Sequence, residues 1–271
     1  MDLPPSSFGF SWKHGILGMV VIIGGVMFLI FLAGVAIYPL LLLIGILFIL
    51  AFRIIWHARD RLNVRVVIIG ISAGTVAGLA SWAGPGFNSY TIFYLATIPF
   101  LFVAGALLLD QSALSHIRIL EGEWRASLYG FAVGIVLSVP AALLNTLMGA
   151  GQIDVWVDAW WKPFVAISPA ITEEIWARLF LTTFLYLLLR TAEPERPKQA
   201  LGAAIIIAAI IHSLTHLPTA ALLGPAGLSY LVVAFLYGVP MALLFVKRDL
   251  EHVVGYHFFI DFLRFISAFG L

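Results

Sequence analysis

This sequence predicts an all-α fold, a polytopic bundle of transmembrane helices, on three observations. Of its 271 residues 62% are hydrophobic and 11% charged, more apolar surface than the core of one water-soluble domain hides. Apolar runs of about 20 residues, the length that crosses a hydrocarbon layer, recur along the chain. Basic residues gather between these runs and alternate from side to side.

The elements follow in order. Met1 to Trp12, with Asp2 and two prolines, lacks the basic region and small-residue cleavage site of a removable signal, so the first run is expected to stay as a helix. Nine spans are expected, at residues 15–37, 39–56, 66–84, 91–109, 127–148, 163–190, 199–219, 226–246 and 251–270. The count becomes eight if the two runs that meet at Tyr38 and Pro39 form one bent unit. Trp156, Trp160 and Trp161, in the segment Gly149 to Trp161, suit the membrane interface, either on a short helix lying in it or, the favoured reading, as an anchor for the following span. Every connection is short, which predicts one membrane domain over 1–271, with motif-free spans in 1–148 and the motif-bearing helices in 163–270.

Orientation is set by Lys and Arg, which are retained on the cytoplasmic side. Lys13, then Arg53, Arg59, Arg61 and Arg65, then Arg118 and Arg125, then Arg190, Arg196 and Lys198, then Lys247 and Arg248 fall on one side. Only Lys162 falls on the other. This puts the N-terminus in the cytoplasm. The net charge of +1 and the scattered basic residues argue against a nucleic-acid partner. The absence of cysteine excludes disulfides, thiolate metal sites and a cysteine nucleophile.

Away from the span ends, five charged residues remain inside the predicted spans: Glu173, Glu174 and Arg178 in the sixth, Asp261 and Arg264 in the ninth. Facing lipid unpaired, they would cost on the order of 12 to 17 kcal/mol together. They must face each other or water. Glu174 and Arg178, four apart, stack on one helix face and are expected to pair, while Glu173 points about 100° away with a carboxylate free to act as a base. His212 and His216 lie in the seventh span. His257 stands four before Asp261, whose carboxylate would fix its tautomer, and Arg264 is within reach of Asp261. Intramembrane ionisable groups of this number point to catalysis or ion transport before packing.

These residues resemble the CAAX prenyl protease and bacteriocin-processing family of glutamate-type intramembrane peptidases. The match lies in Glu-Glu-x-x-x-Arg at Glu173, Glu174 and Arg178, in the helix-closing histidine of Ser213-Leu214-Thr215-His216-Leu217-Pro218, and in His-x-x-x-Asp at His257 and Asp261. The resemblance implies that Glu173 and His216 hold and deprotonate a water, that His257 aided by Asp261 stabilises the oxyanion, and that Glu174 and Arg178 hold them in place; His212, outside the family pattern, is expected as a further supporting residue. It implies no cofactor, and as substrate a membrane-anchored peptide or protein, prenylated in one branch of the family. Two departures stand out: His212 replaces the aromatic residue usual four positions before the second-motif histidine, and Asp261 replaces the asparagine of the prenyl protease branch. Asp261 then acts either as a protonated donor or by orienting His257.

Other readings compete with this one. His212, His216 and Glu173 have zinc-ligand spacing, but Ser213 stands where His-Glu-x-x-His would place its base. A Ser-His-Asp hydrolase lacks a nucleophile elbow. A proton-coupled transporter would be expected to show an inverted repeat and charges in both halves. A membrane scaffold or regulatory partner of the same fold would have no use for the complete motif set.

Overall fold

The computed structural model describes residues 39–84, 86–87, 89–148, 157–216 and 225–269. The expected span at 15–37, Trp156, and Leu217 and Pro218 of the second motif lie outside these residues. The described residues form helices and turns with no strand. In chain order the helices are α1 (Pro39–His57), α2 (Val64–Ala83), α3 (Ser89–Ser112), a one-turn α4 (Arg118–Glu121), α5 (Trp124–Met148), a long α6 (Lys162–Ala192), α7 (Pro197–Leu214), α8 (Pro225–Lys247) and α9 (Leu250–Phe269).

Among the described residues five segments are long and apolar enough to cross a membrane: Val64–Ala83, Thr91–Ser112, Trp124–Leu147, Lys162–Ala192 and Pro197–Leu214. Leu43–His57 and Phe235–Lys247 are shorter apolar stretches. The protein is an integral membrane protein of all-α fold. α9 is 20 residues long, but it carries Glu251, Asp261 and Arg264 among its apolar residues, which is why hydropathy alone singles it out poorly. Val157–Trp161, the described part of the tryptophan segment, is not helical, and Trp160 and Trp161 are exposed.

Small residues decide how closely the helices approach. Gly130 and Gly134 on α5 form a Gly-x-x-x-Gly face that meets Gly255 on α9. A Cβ at Gly134 would collide with the His252 carbonyl and lie 2.8 Å from the Tyr256 backbone nitrogen, and one at Gly255 would lie 2.8 Å from the Phe131 carbonyl carbon. Such faces let two backbones touch inside a membrane, where dispersion has to replace the hydrophobic effect. We expect Gly134→Leu to destabilise the fold by about 1–3 kcal/mol or more, the usual cost of overpacking; an unchanged melting temperature in detergent would refute this contact. Gly70, Gly74 and Gly78 of α2 do the same against α3, with Gly74 seating Pro99 and Gly78 seating Leu95. Gly105 of α3 lies against Leu179 of α6. The Ser168 hydroxyl on α6 donates to the Ala77 carbonyl on α2 at 2.9 Å. The motif-free helices thus buttress the two helices, α6 and α9, that carry most of the polar motifs.

One polar cluster ties the connections together. α4 ends at Gly122, whose φ of 91° is left-handed and favours glycine. Glu123 N donates to the Arg118 carbonyl and Gly122 N to that of Ile119, the paired bonds of a Schellman stop. Asp249 caps α9: its Oδ1 accepts from the His252 backbone N at 2.9 Å and from His252 Nδ1 at 2.6 Å. Its Oδ2 accepts from Arg118 Nε at 2.5 Å. Glu251 accepts from Ile119 N, and Arg65 donates to the Ile119 carbonyl.

Burial opposes ionisation of Asp249, but the bonds from Arg118 and His252 outweigh it and hold the carboxyl below its usual range. A depressed folded pKa adds stability that is complete above the unfolded value of about 3.9 and is lost as pH falls through the folded value. Wild type should therefore lose stability relative to Asp249→Asn as pH drops below about 4, measured by thermal unfolding in micelles. Parallel pH profiles would contradict it.

Candidate active site

The site assembles where α6 changes its winding. Ile167–Glu173 is α-helical, and Glu174–Thr182 continues as a wider π-helix before the α-form resumes at Thr183. The Thr182 hydroxyl follows this register, donating to the Ala177 carbonyl five residues back at 2.8 Å. π turns occur frequently at functional sites. Here the change falls between the two glutamates, and each turns to different partners.

Glu174 is fully buried and its carboxylate is divided. Oε2 lies 3.2 Å from Arg178 Nε, with side chains 0% and 2% exposed, and Oε1 accepts from His257 Nδ1 at 2.7 Å. Arg178 also reaches Met241 Sδ on α8 at 3.3 Å. A charge pair withdrawn this far from water survives only with such partners.

Glu173 turns toward the end of α7. Its Oε2 lies 2.6 Å from His212 Nε2, 3.7 Å from His216 Nε2 and 3.9 Å from His257 Nε2. α7 closes at Leu214, where Thr215 N and His216 N donate to the carbonyls of His212 and Ser213, tightening the last turn and leaving His216 half-exposed just beyond it. His216 Nδ1 lies 3.0 Å from the His212 carbonyl. A carbonyl only accepts, so Nδ1 carries a proton, and in the neutral ring Nε2 is then the acceptor that faces Glu173. The His212 ring is buried against Trp176, with ring centroids 5.6 Å apart.

The last motif residue, Asp261, lies one turn beyond His257 on α9, its Oδ2 3.4 Å from His257 Nε2. The histidine therefore has carboxylates at both nitrogens. This differs from the sequence expectation, in which Asp261 alone fixed the tautomer. The closer partner is Glu174 at Nδ1, while Asp261 sits at the Nε2 end beside Glu173. The expectation paired Glu174 with Arg178 only and had no means to see its second oxygen cross to α9. Arg264 lies over the Phe265 ring at 5.8 Å. Met241, Trp176 and the Gly130–Gly134 face went unnoticed in the sequence; only the Gly-x-x-x-Gly spacing carried a readable signal.

Glu173, Glu174, Arg178, His212, His216, His257 and Asp261 thus gather from α6, α9 and the end of α7, and three imidazoles surround one carboxylate oxygen. Residues 155–263 match the family described as Type II CAAX prenyl endopeptidase Rce1-like. Over this segment the resemblance to the CAAX prenyl protease family holds. All seven residues lie inside it, and α1 to α5 lie outside. No curated protein and no solved structure matches the chain.

Proposed function

We propose that this protein is an intramembrane endopeptidase that cleaves a membrane-anchored or lipidated peptide or protein with a water activated by Glu173 and His216. One observation carries the reading: Glu173 Oε2 and His216 Nε2 face each other at 3.7 Å. A water that donates to both groups is held between them after a small widening of that gap. As the water attacks the scissile carbonyl, Glu173 takes its proton, and the same carboxyl then delivers that proton to the departing amine.

His257 contributes at the other side of the site. With Nδ1 held by Glu174, its Nε2 is directed toward the place beside Glu173 where the tetrahedral oxyanion forms, and a proton there is donated to it. Asp261 stands at that same end. Its role is then either a second donor or an acceptor that holds the His257 Nε2–H in place, 3.4 Å from that nitrogen. Arg178 and His212 are supporting residues, the first by neutralising Glu174 and the second by bonding Glu173.

The chain is one membrane domain of nine spans with its N-terminus in the cytoplasm. The distribution of basic residues argues for this, and contacts between connections support the alternation of the described helices. Arg61 pairs with Asp110, Arg65 with the Ile119 carbonyl, and Arg118 with Asp249. The ends of α1, α3 and α8 therefore share one side of the bundle, as alternation requires. Substrates enter from the bilayer, and the Rce1-like match over residues 155–263 favours a prenylated C-terminal segment.

Purified protein in proteoliposomes tests the reading. A peptide carrying a prenylated C-terminal cysteine motif should be cleaved, with the fragment detected by mass spectrometry, and the same peptide without its lipid should be cleaved at least tenfold more slowly. Equal rates would remove the requirement for membrane anchoring. No cleavage of any lipidated peptide offered would count against hydrolysis.

A further inference from the structure

Among the described residues Glu173, His212 and His216 are a group whose ligand atoms all lie within 4.8 Å of one another. In a four-coordinate zinc or cobalt site, bonds of about 2.0–2.2 Å set neighbouring ligand atoms roughly 3.3–3.5 Å apart. The 3.7 Å between Glu173 Oε2 and His216 Nε2 contracts slightly to reach that value, and the 2.6 Å between Glu173 Oε2 and His212 Nε2 opens by less than about 1 Å. The two rings come from consecutive turns at one helix end, centroids 4.7 Å apart.

The outer contacts suit an ion as well. His216 Nδ1–H donates to the His212 carbonyl at 3.0 Å, the kind of bond that fixes a metal-ligating histidine with its other nitrogen free. His212 is buried, and its Nδ1 has no hydrogen-bond partner. Moving its proton from Nε2 to Nδ1, which frees Nε2 as a ligand, breaks no bond at Nδ1. His257 Nε2, 3.9 Å from Glu173 Oε2, or a water completes four-coordination.

We propose that Glu173, His212 and His216 bind a divalent transition-metal ion of the zinc class, and that the bound ion reversibly blocks hydrolysis by occupying the carboxylate that takes the proton from water. The binding half stands on these side chains alone, and the blocking half rests on the proposed hydrolysis. Inhibition is the expected sense because the base is consumed as a ligand. Helix-borne zinc hydrolases keep a glutamate beside the first histidine to work on the metal-bound water; here that position is Ser213, and Glu174 is committed to His257 and Arg178.

The test is a cobalt titration of the purified full-length protein in micelles after removal of metals by chelation. Wild type should show the visible absorption of four-coordinate Co(II), saturating at one equivalent and displaced by Zn(II). His212→Phe, which keeps a ring against Trp176, should weaken the affinity about 100-fold or more, since loss of an outer partner alone costs 10- to 100-fold. His216→Gln, on the half-exposed turn, should do the same and covers the case in which the buried substitution misfolds. Zinc should slow substrate cleavage by wild type, and chelation should restore it. No cobalt absorption, or equal affinity in wild type and both variants, overturns the site. Cleavage lost on chelation and regained with zinc keeps the site but overturns its inhibitory sense and the metal-free activation of water. Cobalt binding without cleavage of any substrate keeps the site and sinks hydrolysis alone.

Discussion

Glu173→Gln should leave a folded protein that turns over its substrate about 10²–10⁴-fold more slowly, the span that a general base contributes. That loss corresponds to roughly 2.7–5.5 kcal/mol of barrier. The amide keeps the volume of the carboxylate and its contact with His212, so unfolding in detergent should change little. It removes the one group near His216 Nε2 that takes a proton, so the effect should fall on kcat more than on KM. His216→Ala and His257→Ala should lose comparable activity, the first by removing the partner that holds the water, the second by removing the donor held in place by Glu174. Asp261→Asn discriminates within the set. Asparagine donates without needing a proton on a carboxylate, so it should retain most activity if Asp261 acts as a donor. Wild-type cleavage by folded Glu173→Gln would end the hydrolase reading and favour a binding or scaffold protein of the same fold.

Glu174→Ala and Arg178→Ala should each destabilise the protein by about 3–5 kcal/mol, because each strands a buried charge whose partner has gone. In a membrane the loss is expected at the lower end, since the unfolded state there also finds partners. The double variant should be milder than the sum, with a coupling energy of about 0.5–3 kcal/mol in a double-mutant cycle. Additivity would mean that the 3.2 Å contact carries no energy. The two single variants should also part company in activity per folded molecule. Glu174→Ala frees His257 Nδ1 from its 2.7 Å partner and should lower turnover further than Arg178→Ala, whose guanidinium acts on His257 through Glu174.

Much of this protein was determined by sequence alone, because the properties concerned are local or are set by the bilayer. Eight of the expected apolar runs fall on helices α1 to α3 and α5 to α9, since hydrocarbon thickness and intrahelical hydrogen bonding leave few alternatives to a long apolar helix. The Glu174–Arg178 contact and the divergence of Glu173 from it follow from helical phase, which spacing reports. What spacing cannot report is contact between helices. That Glu174 bridges α6 to α9, that His212 and not only His216 meets Glu173, and that Asp261 stands at Nε2 of His257 were decided by tertiary packing. So was the register that lets α5 touch α9 through Gly134 and Gly255. Such contacts depend on how far one helix slides and turns against another, a balance of many small dispersion terms spread over the whole interface, and no single residue in either helix encodes it.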